Sequence, residues 1–298
     1  VDDKDRRGGR IAAAGPLASA VSVQSGAAFG TTLIPVIGPV GVVGLRQLFA
    51  ALVLLIPLIR SRRSLRWHGV RAALLLGLIL VVMNITIYMS LARIDLGLAV
   101  TLEFLGPLAL ALLASRRALD LICGIAAGVG VFLLTGTIDD VDPIGVLLAL
   151  VAGAAWAGYI VTGQRVADRM SGTQGTAVAS GVAAVITLPF LIAALVQLPA
   201  DEFVRVLSIG LAVGVLSSAL PYSLDIAVLR RIPRGLFSVL QSVHPAVAAL
   251  AGLVILGQTL GLLQVIGLAA ISAANAAAVL GSARRERLAR RAEQALLA

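Results

Sequence analysis

Glu103 stands in an otherwise apolar run from Leu96 to Ala114, where an ionised carboxyl costs about 3 kcal/mol or more unless it meets a partner or a polar cavity. That cost makes it the first candidate for handling a solute or a proton. Arg46, in GLRQLFAAL, is a possible charge partner. A guanidinium suits bidentate recognition of a carboxylate, whether that of Glu103 or one on a substrate, and an arginine near a helix end also snorkels to the headgroups. Asn84 and Tyr88 share one helical face. They offer an amide and a phenol to a zwitterionic solute, or hydrogen bonds and an interfacial anchor to the helix bundle.

A second polar group follows in Ser217, Ser218, Pro221, Tyr222 and Asp225, with Asp225 near Arg230 and Arg231. Asp225 and Arg230 suit an inner gate pair, and Asp225 equally suits an interfacial acid. Gln241 and His244 lie one turn apart. Histidine titrates near neutrality and can relay a proton, or it simply lines a cavity. Gln24 and Gln258 are weaker signals of the same kind. Gly106, Pro107, Pro221 and Pro245 mark places where a helix can break and turn a carbonyl toward a cavity.

These residues need many apolar helices to hold them, and the composition supplies them. Of 298 residues, 59% are hydrophobic and 13% charged, with a mean hydropathy of +1.01, which suits a bundle of membrane helices and no soluble core. At about 20 residues per span, ten helices are expected: 14–34, 40–59, 72–92, 96–114, 120–138, 144–164, 175–197, 206–228, 234–256 and 261–281. Residues 1–13 and 282–298 form polar tails, and the first apolar run reads as a mature helix rather than a signal peptide.

The net charge of +9 belongs to topology more than to nucleic acid. Alternate connections and the two tails hold 21 of the 24 Lys and Arg residues, which puts both termini in the cytoplasm by the positive-inside rule. The basic C-terminal tail would face anionic lipid headgroups.

The chain also repeats. At an offset of 138, ARIDLGL (92–98) falls on RRIPRGL (230–236), Glu103 on Gln241, Pro107 on Pro245 and Asn84 on Tyr222; Gly26-Ala-Ala-Phe29 is echoed in Gly153-Ala-Ala-Trp156. Two five-helix halves, 14–138 and 144–281, follow. Because five is odd, the second enters the membrane inverted, the arrangement of many alternating-access carriers.

Other chemistries are poorly supplied. One cysteine, Cys123, and two histidines give no disulfide framework, no metal site and no nucleophile with its base. There is no phosphate-binding GxxxxGK[ST] motif, and the connections are too short for an ATPase domain. No cofactor is expected. A channel is a rival that the inverted repeat disfavours. The glycine pairs 124/128 and 210/214 read as close helix packing.

Taken together, Ser22–Ala28, Gly44-Leu45-Arg46, Asn84 with Tyr88, AVTLEFLGPL (99–108) followed by Ser115-Arg116-Arg117, and SSALPYSLD (217–225) resemble the drug/metabolite transporter superfamily with EamA-type halves. Within it the chain looks like the inner-membrane threonine and homoserine exporters. The likeness spans roughly residues 15–281. It implies export of small amino acids or related metabolites through a central cavity between the halves, driven by the proton gradient. The chain departs from the family pattern at His244 and Gln258, where members commonly carry acids.

Overall fold

The computed structural model describes residues 3–60, 67–113, 118–135, 141–170, 174–221, 224, 241–277 and 280. Among them every regular element is helical. The helices are α1 (Asp3–Thr32), α2 (Ile34–Arg60), α3 (Trp67–Leu91), α4 (Leu96–Glu103), α5 (Leu105–Leu113), α6 (Ala118–Thr135), α7 (Pro143–Ala167), α8 (Gln174–Val196) and α9 (Ala200–Gly214). Helix α9 runs on into a π-helical turn, Val215–Ala219, and α10 (His244–Leu256) and α11 (Leu262–Ala277) follow. These occupy the ten expected positions, the fourth of them split in two.

Among the described residues five helices, α9 taken together with its π turn, are long and apolar enough to cross a membrane. Their outward faces carry large apolar side chains such as Val185, Val196 and Val204, each at least 70% exposed. Water would penalise such a surface, and lipid solvates it.

Local chemistry explains the boundaries. Helix α1 begins at Asp3, so the expected tail of residues 1–13 is largely helical and includes the start of that helix. Between α1 and the body of α2, Gly38 adopts φ 70° and ψ 162°, a left-handed φ that favours glycine. Pro39 follows it and restarts the helix from the first-turn position that proline tolerates. Helix α7 opens on Asp142, whose Oδ1 accepts from the backbone N–H of Ile144 at 2.7 Å and of Gly145 at 3.3 Å, the N-cap geometry that satisfies otherwise orphaned donors.

The break in the fourth span falls at Phe104, ahead of the expected Gly106-Pro107. Proline at 107 has no N–H for the carbonyl four residues back, which is that of Glu103, and its ring crowds that carbonyl. The next carbonyl, that of Phe104, keeps the Leu108 N–H at 3.3 Å and also accepts from another helix, from Asn275 Nδ2 of α11 at 3.3 Å.

Helix α7 passes this break at very short range. A Cβ on Gly106 would strike the backbone of Gly153, and one on Gly153 would stand 2.6 Å from the Glu103 carbonyl oxygen. Gly210 and Gly214 likewise let α9 lie on Leu45 and Phe49 of α2, whereas Gly128 has open space around it.

Helices α2 and α8 pack along one another, and α3 packs on α7 and α8. Helix α1 lies on α10 and on the π turn, α4 on α10, and α4 and α5 on α7. The main core, including Leu45, Tyr88, Leu96, Leu102, Leu191 and Ile271, surrounds a polar centre.

Candidate functional site: a polar cavity at the centre of the bundle

That centre is a cavity of about 210 Å³ lined by Gln24, Arg46, Asn84, Tyr88, Glu103, Gln241 and His244, together with Ser19, Phe104, Trp156, Tyr159, Ser217 and Pro221. Seven polar side chains singled out from the sequence thus meet in one space, although they come from five spans. Pro221 lines it too. Pro245 lies in the first turn of α10, while Gly106 and Pro107 lie just past the break in the fourth span. Tyr222, Asp225 and Arg230 lie outside the described residues.

Glu103 ends α4. It is half-buried because it lines the cavity, and the charge acting on it is that of Arg46. The two do not touch: among the described residues no ion pair within 4.0 Å joins them. The Arg46 guanidinium instead donates through Nη2 to the Ser217 carbonyl at 3.2 Å and through Nε to Ser218 Oγ at 3.5 Å. Both acceptors lie in the π turn, a local widening that releases backbone carbonyls from the regular helical ladder. Ser22 Oγ donates to a second backbone carbonyl there, that of Leu216, at 2.6 Å. Arg46 is therefore not paired with the acid; it is fixed on the cavity wall, and among the described residues no carboxylate meets its charge at contact range.

Tyr88 is buried beside both charges, and its hydroxyl has no hydrogen-bond partner among the described residues. It is no interfacial anchor. Asn84 donates through Nδ2 to the Leu80 carbonyl of its own helix at 2.8 Å, leaving Oδ1 unpartnered.

Across the cavity, His244 sits between two amides. Gln24 Nε2 lies 3.2 Å from Nδ1, and Gln241 Oε1 lies 3.1 Å from Nε2. An amide oxygen only accepts, so Nε2 carries the hydrogen and Nδ1 accepts from Gln24. The Phe104 ring lies 5.7 Å from the imidazole, and Trp156 meets Phe104 edge-on at 4.4 Å, so the break in the fourth span also props the histidine. No group of three or more His, Cys, Asp or Glu side chains gathers at metal-ligand range among the described residues. One cation, one acid, amides and hydroxyls in a small cavity suit a small zwitterion.

Ties also join the ends of neighbouring spans. Arg93 Nη1 meets Asp142 Oδ2 at 3.0 Å, and the guanidinium holds the Asp142 carboxyl below its ordinary range. Gln258 Oε1 accepts from the Leu96 N–H at 3.0 Å, and Ser90 Oγ donates to the Gly145 carbonyl at 2.8 Å.

Known proteins share this chain's pattern. The threonine/homoserine exporter RhtA of Salmonella typhimurium (strain LT2) is 42% identical over 268 residues, covering 89% of this chain and 90% of the relative. The profile of the EamA-like transporter family matches residues 143–279. The chain belongs to the EamA-like transporter family. Its RhtA-type relatives include the exporter of that name from Escherichia coli (strain K12), 40% identical over 262 residues, 87% of this chain and 88% of the relative. A crystal structure of 19% identity overlays on the transporter with a TM-score of 0.58, covering 92% of this chain and 98% of its own; the likeness is one of fold. The transporter is an all-α, multi-pass membrane protein.

Several features of its site escaped the reading of the sequence, Tyr159 of α7 in the lining among them. Trp156 carried a signal, the echo of Gly26–Phe29 in Gly153–Trp156. The π turn as Arg46's anchor, Ser19 in the lining and Asn275 at the helix break had none that stands out from apolar packing.

Proposed function

We propose that the transporter exports small amino acids, threonine and homoserine foremost, from the cytoplasm across the inner membrane of a bacterium by alternating access, with a proton as the counter-ion. The observation that carries this reading is the cavity: a Glu103 carboxyl with no ion pair among the described residues and an Arg46 guanidinium held away from it, in a space of about 210 Å³, below the roughly 300–1,000 Å³ of pockets for drug-sized ligands. An α-ammonium matches the acid, and an α-carboxylate matches the guanidinium. The relatives named as threonine/homoserine exporters support the same class of solute.

Alternating access draws support from the way the halves exchange contacts. The first span of the first half lies on the ninth span, while the first span of the second half lies on the fourth. A two-fold relation between 14–138 and 144–281 would produce such a reciprocal pattern, and inverted repeats of this kind rock about a site at their interface. The basic connections support cytoplasmic termini. A cysteine at position 64 should accordingly stay shielded from an impermeant reagent outside intact cells, and labelling from outside would reverse the topology.

The test is counterflow in proteoliposomes. Unlabelled threonine or homoserine inside should accelerate entry of the labelled solute in a saturable way. Flux that neither saturates nor responds to solute inside would mark a pore, and no flux of any small amino acid would overturn the reading.

A further inference from the structure

Four buried polar atoms of the cavity lining have no hydrogen-bond partner among the described residues: Ser19 Oγ, Gln24 Oε1, Asn84 Oδ1 and Tyr88 Oη. Each of the four side chains is no more than 3% exposed. Native interiors leave few polar groups unsatisfied, and an orphaned group in a cavity marks where a ligand or water belongs. Two of the four, Asn84 and Tyr88, stand one turn apart on α3, and Tyr88 lies beside Arg46 and Glu103. They belong with the ionic end of a solute. The other two, Ser19 and Gln24, stand on α1, where Gln24 is joined to His244 of α10 and through it to Gln241.

The hydrogen-bond direction along this relay decides what Gln24 has left to offer. Gln241 accepts from His244 Nε2–H, His244 Nδ1 accepts from Gln24 Nε2–H, and the Gln24 amide therefore presents its oxygen, a pure acceptor. The arrangement is held stiffly, since the imidazole is tied at both nitrogens and stacked at a tilt on Phe104. A fixed acceptor asks for a neutral donor, because the ionic groups of an amino acid are already matched at Glu103 and Arg46. A side-chain hydroxyl is such a donor. Ser19 Oγ, on the same helix, is open to the hydroxyl's oxygen.

We propose that the Gln24–His244–Gln241 relay reads a hydroxyl on the solute's side chain, so that the transporter selects hydroxylated amino acids over their apolar isosteres. The hydroxyl donates to Gln24 Oε1, and Gln24 is the specificity-determining residue, with His244 and Gln241 as positioning residues that fix its amide. The inference rests on the proposed transport of threonine and homoserine through this cavity and adds which residues recognise the hydroxyl the two share. Physically, a site built to hydrogen-bond a hydroxyl rejects the analogue lacking it far more strongly than an apolar pocket rejects an added one, because the protein's own polar atom is then left dry and unpaired.

The experiment compares counterflow of threonine with valine, and of homoserine with norvaline, in proteoliposomes of wild-type and Gln24→Met protein. Wild type should favour each hydroxylated member by at least about ten-fold in kcat/KM. In Gln24→Met, which keeps the length of the side chain and removes the acceptor, that ratio should fall toward one. Wild type that carries threonine and valine alike, or a Gln24→Met protein that keeps the full preference, overturns the inference while leaving amino-acid transport in place. Wild type that carries none of the four overturns both. If Gln24→Met does not fold, O-methylthreonine against threonine on wild type decides: methylation removes the donor, so equal transport of the two overturns the proposal and selective loss of the ether supports it.

Discussion

The α-carbon of Gly153 lies against the carbonyl of Glu103, so close that a Cβ on Gly153 would stand 2.6 Å from that oxygen. The carbonyl is the one that Pro107 leaves without its helical donor. The absence of a side chain on α7 is thus what allows the broken fourth span, and the acid at its end, to sit where it does.

Gly153→Ala should therefore destabilise the protein by about 1–3 kcal/mol, the usual penalty of overpacking, because the atom in the way is backbone and cannot rotate aside. Gly163, on the same helix, has nothing within 4 Å of its Cβ position. Gly163→Ala should stabilise the protein by up to about 1 kcal/mol through helix propensity. Thermal unfolding of the two variants in one detergent tests the pair, and equal shifts would contradict the close approach.

Arg46→Lys keeps the charge but loses the fork that spans the Ser217 carbonyl and Ser218 Oγ. One charge-assisted hydrogen bond is worth about 1.5–3 kcal/mol. If the fork aims the charge at a solute carboxylate, KM for threonine should rise about ten-fold or more while the yield of folded protein stays near wild type. An unchanged KM would make Arg46 a brace of the π turn alone.

Asp142 predicts a pH dependence at the tie to Arg93. Its folded pKa is lowered, chiefly by the hydrogen bond from Arg93. The stabilisation is therefore present above the ordinary aspartate value of about 3.9 and is lost as pH falls through the lower, folded value. The tie should hold throughout neutral and mildly acidic pH and open only in stronger acid. Asp142→Asn keeps an N-cap but loses the ion pair, whereas Asp142→Ala loses both. Melting temperatures should fall in the order wild type, Asn, Ala at pH 7, and wild type and Asn should converge in strong acid; an Asn variant as stable as wild type at pH 7 would remove the ion pair from the account.

Much of this was legible in the chain itself, for physical reasons. Spans show as apolar runs because lipid demands them, and polar residues inside such runs stand out because they are costly, which is why Glu103, Arg46, Asn84, Tyr88, Gln24, Gln241 and His244 could be picked out singly and then found lining one cavity. Gly106-Pro107 announced a break but placed it two residues late, since proline acts on the carbonyl four positions back. Partner choice was not legible. Arg46 engages the π turn and not Glu103, and nothing in hydropathy or spacing encodes a one-turn change of helical register. Nor does sequence show that Asn275, distant in the chain, donates to the Phe104 carbonyl.

The central claim is that Glu103 handles the solute or the proton in transport. Glu103→Gln keeps size and hydrogen bonding but removes charge and titration. With purified proteins at matched reconstitution, uptake of threonine driven by a pH gradient is measured beside equilibrium exchange of threonine at equal pH. The account predicts that Glu103→Gln folds in near-normal yield and loses flux, with gradient-driven uptake falling further than exchange if the carboxyl carries the proton. Wild-type rates in both assays would contradict it and remove Glu103 from the mechanism.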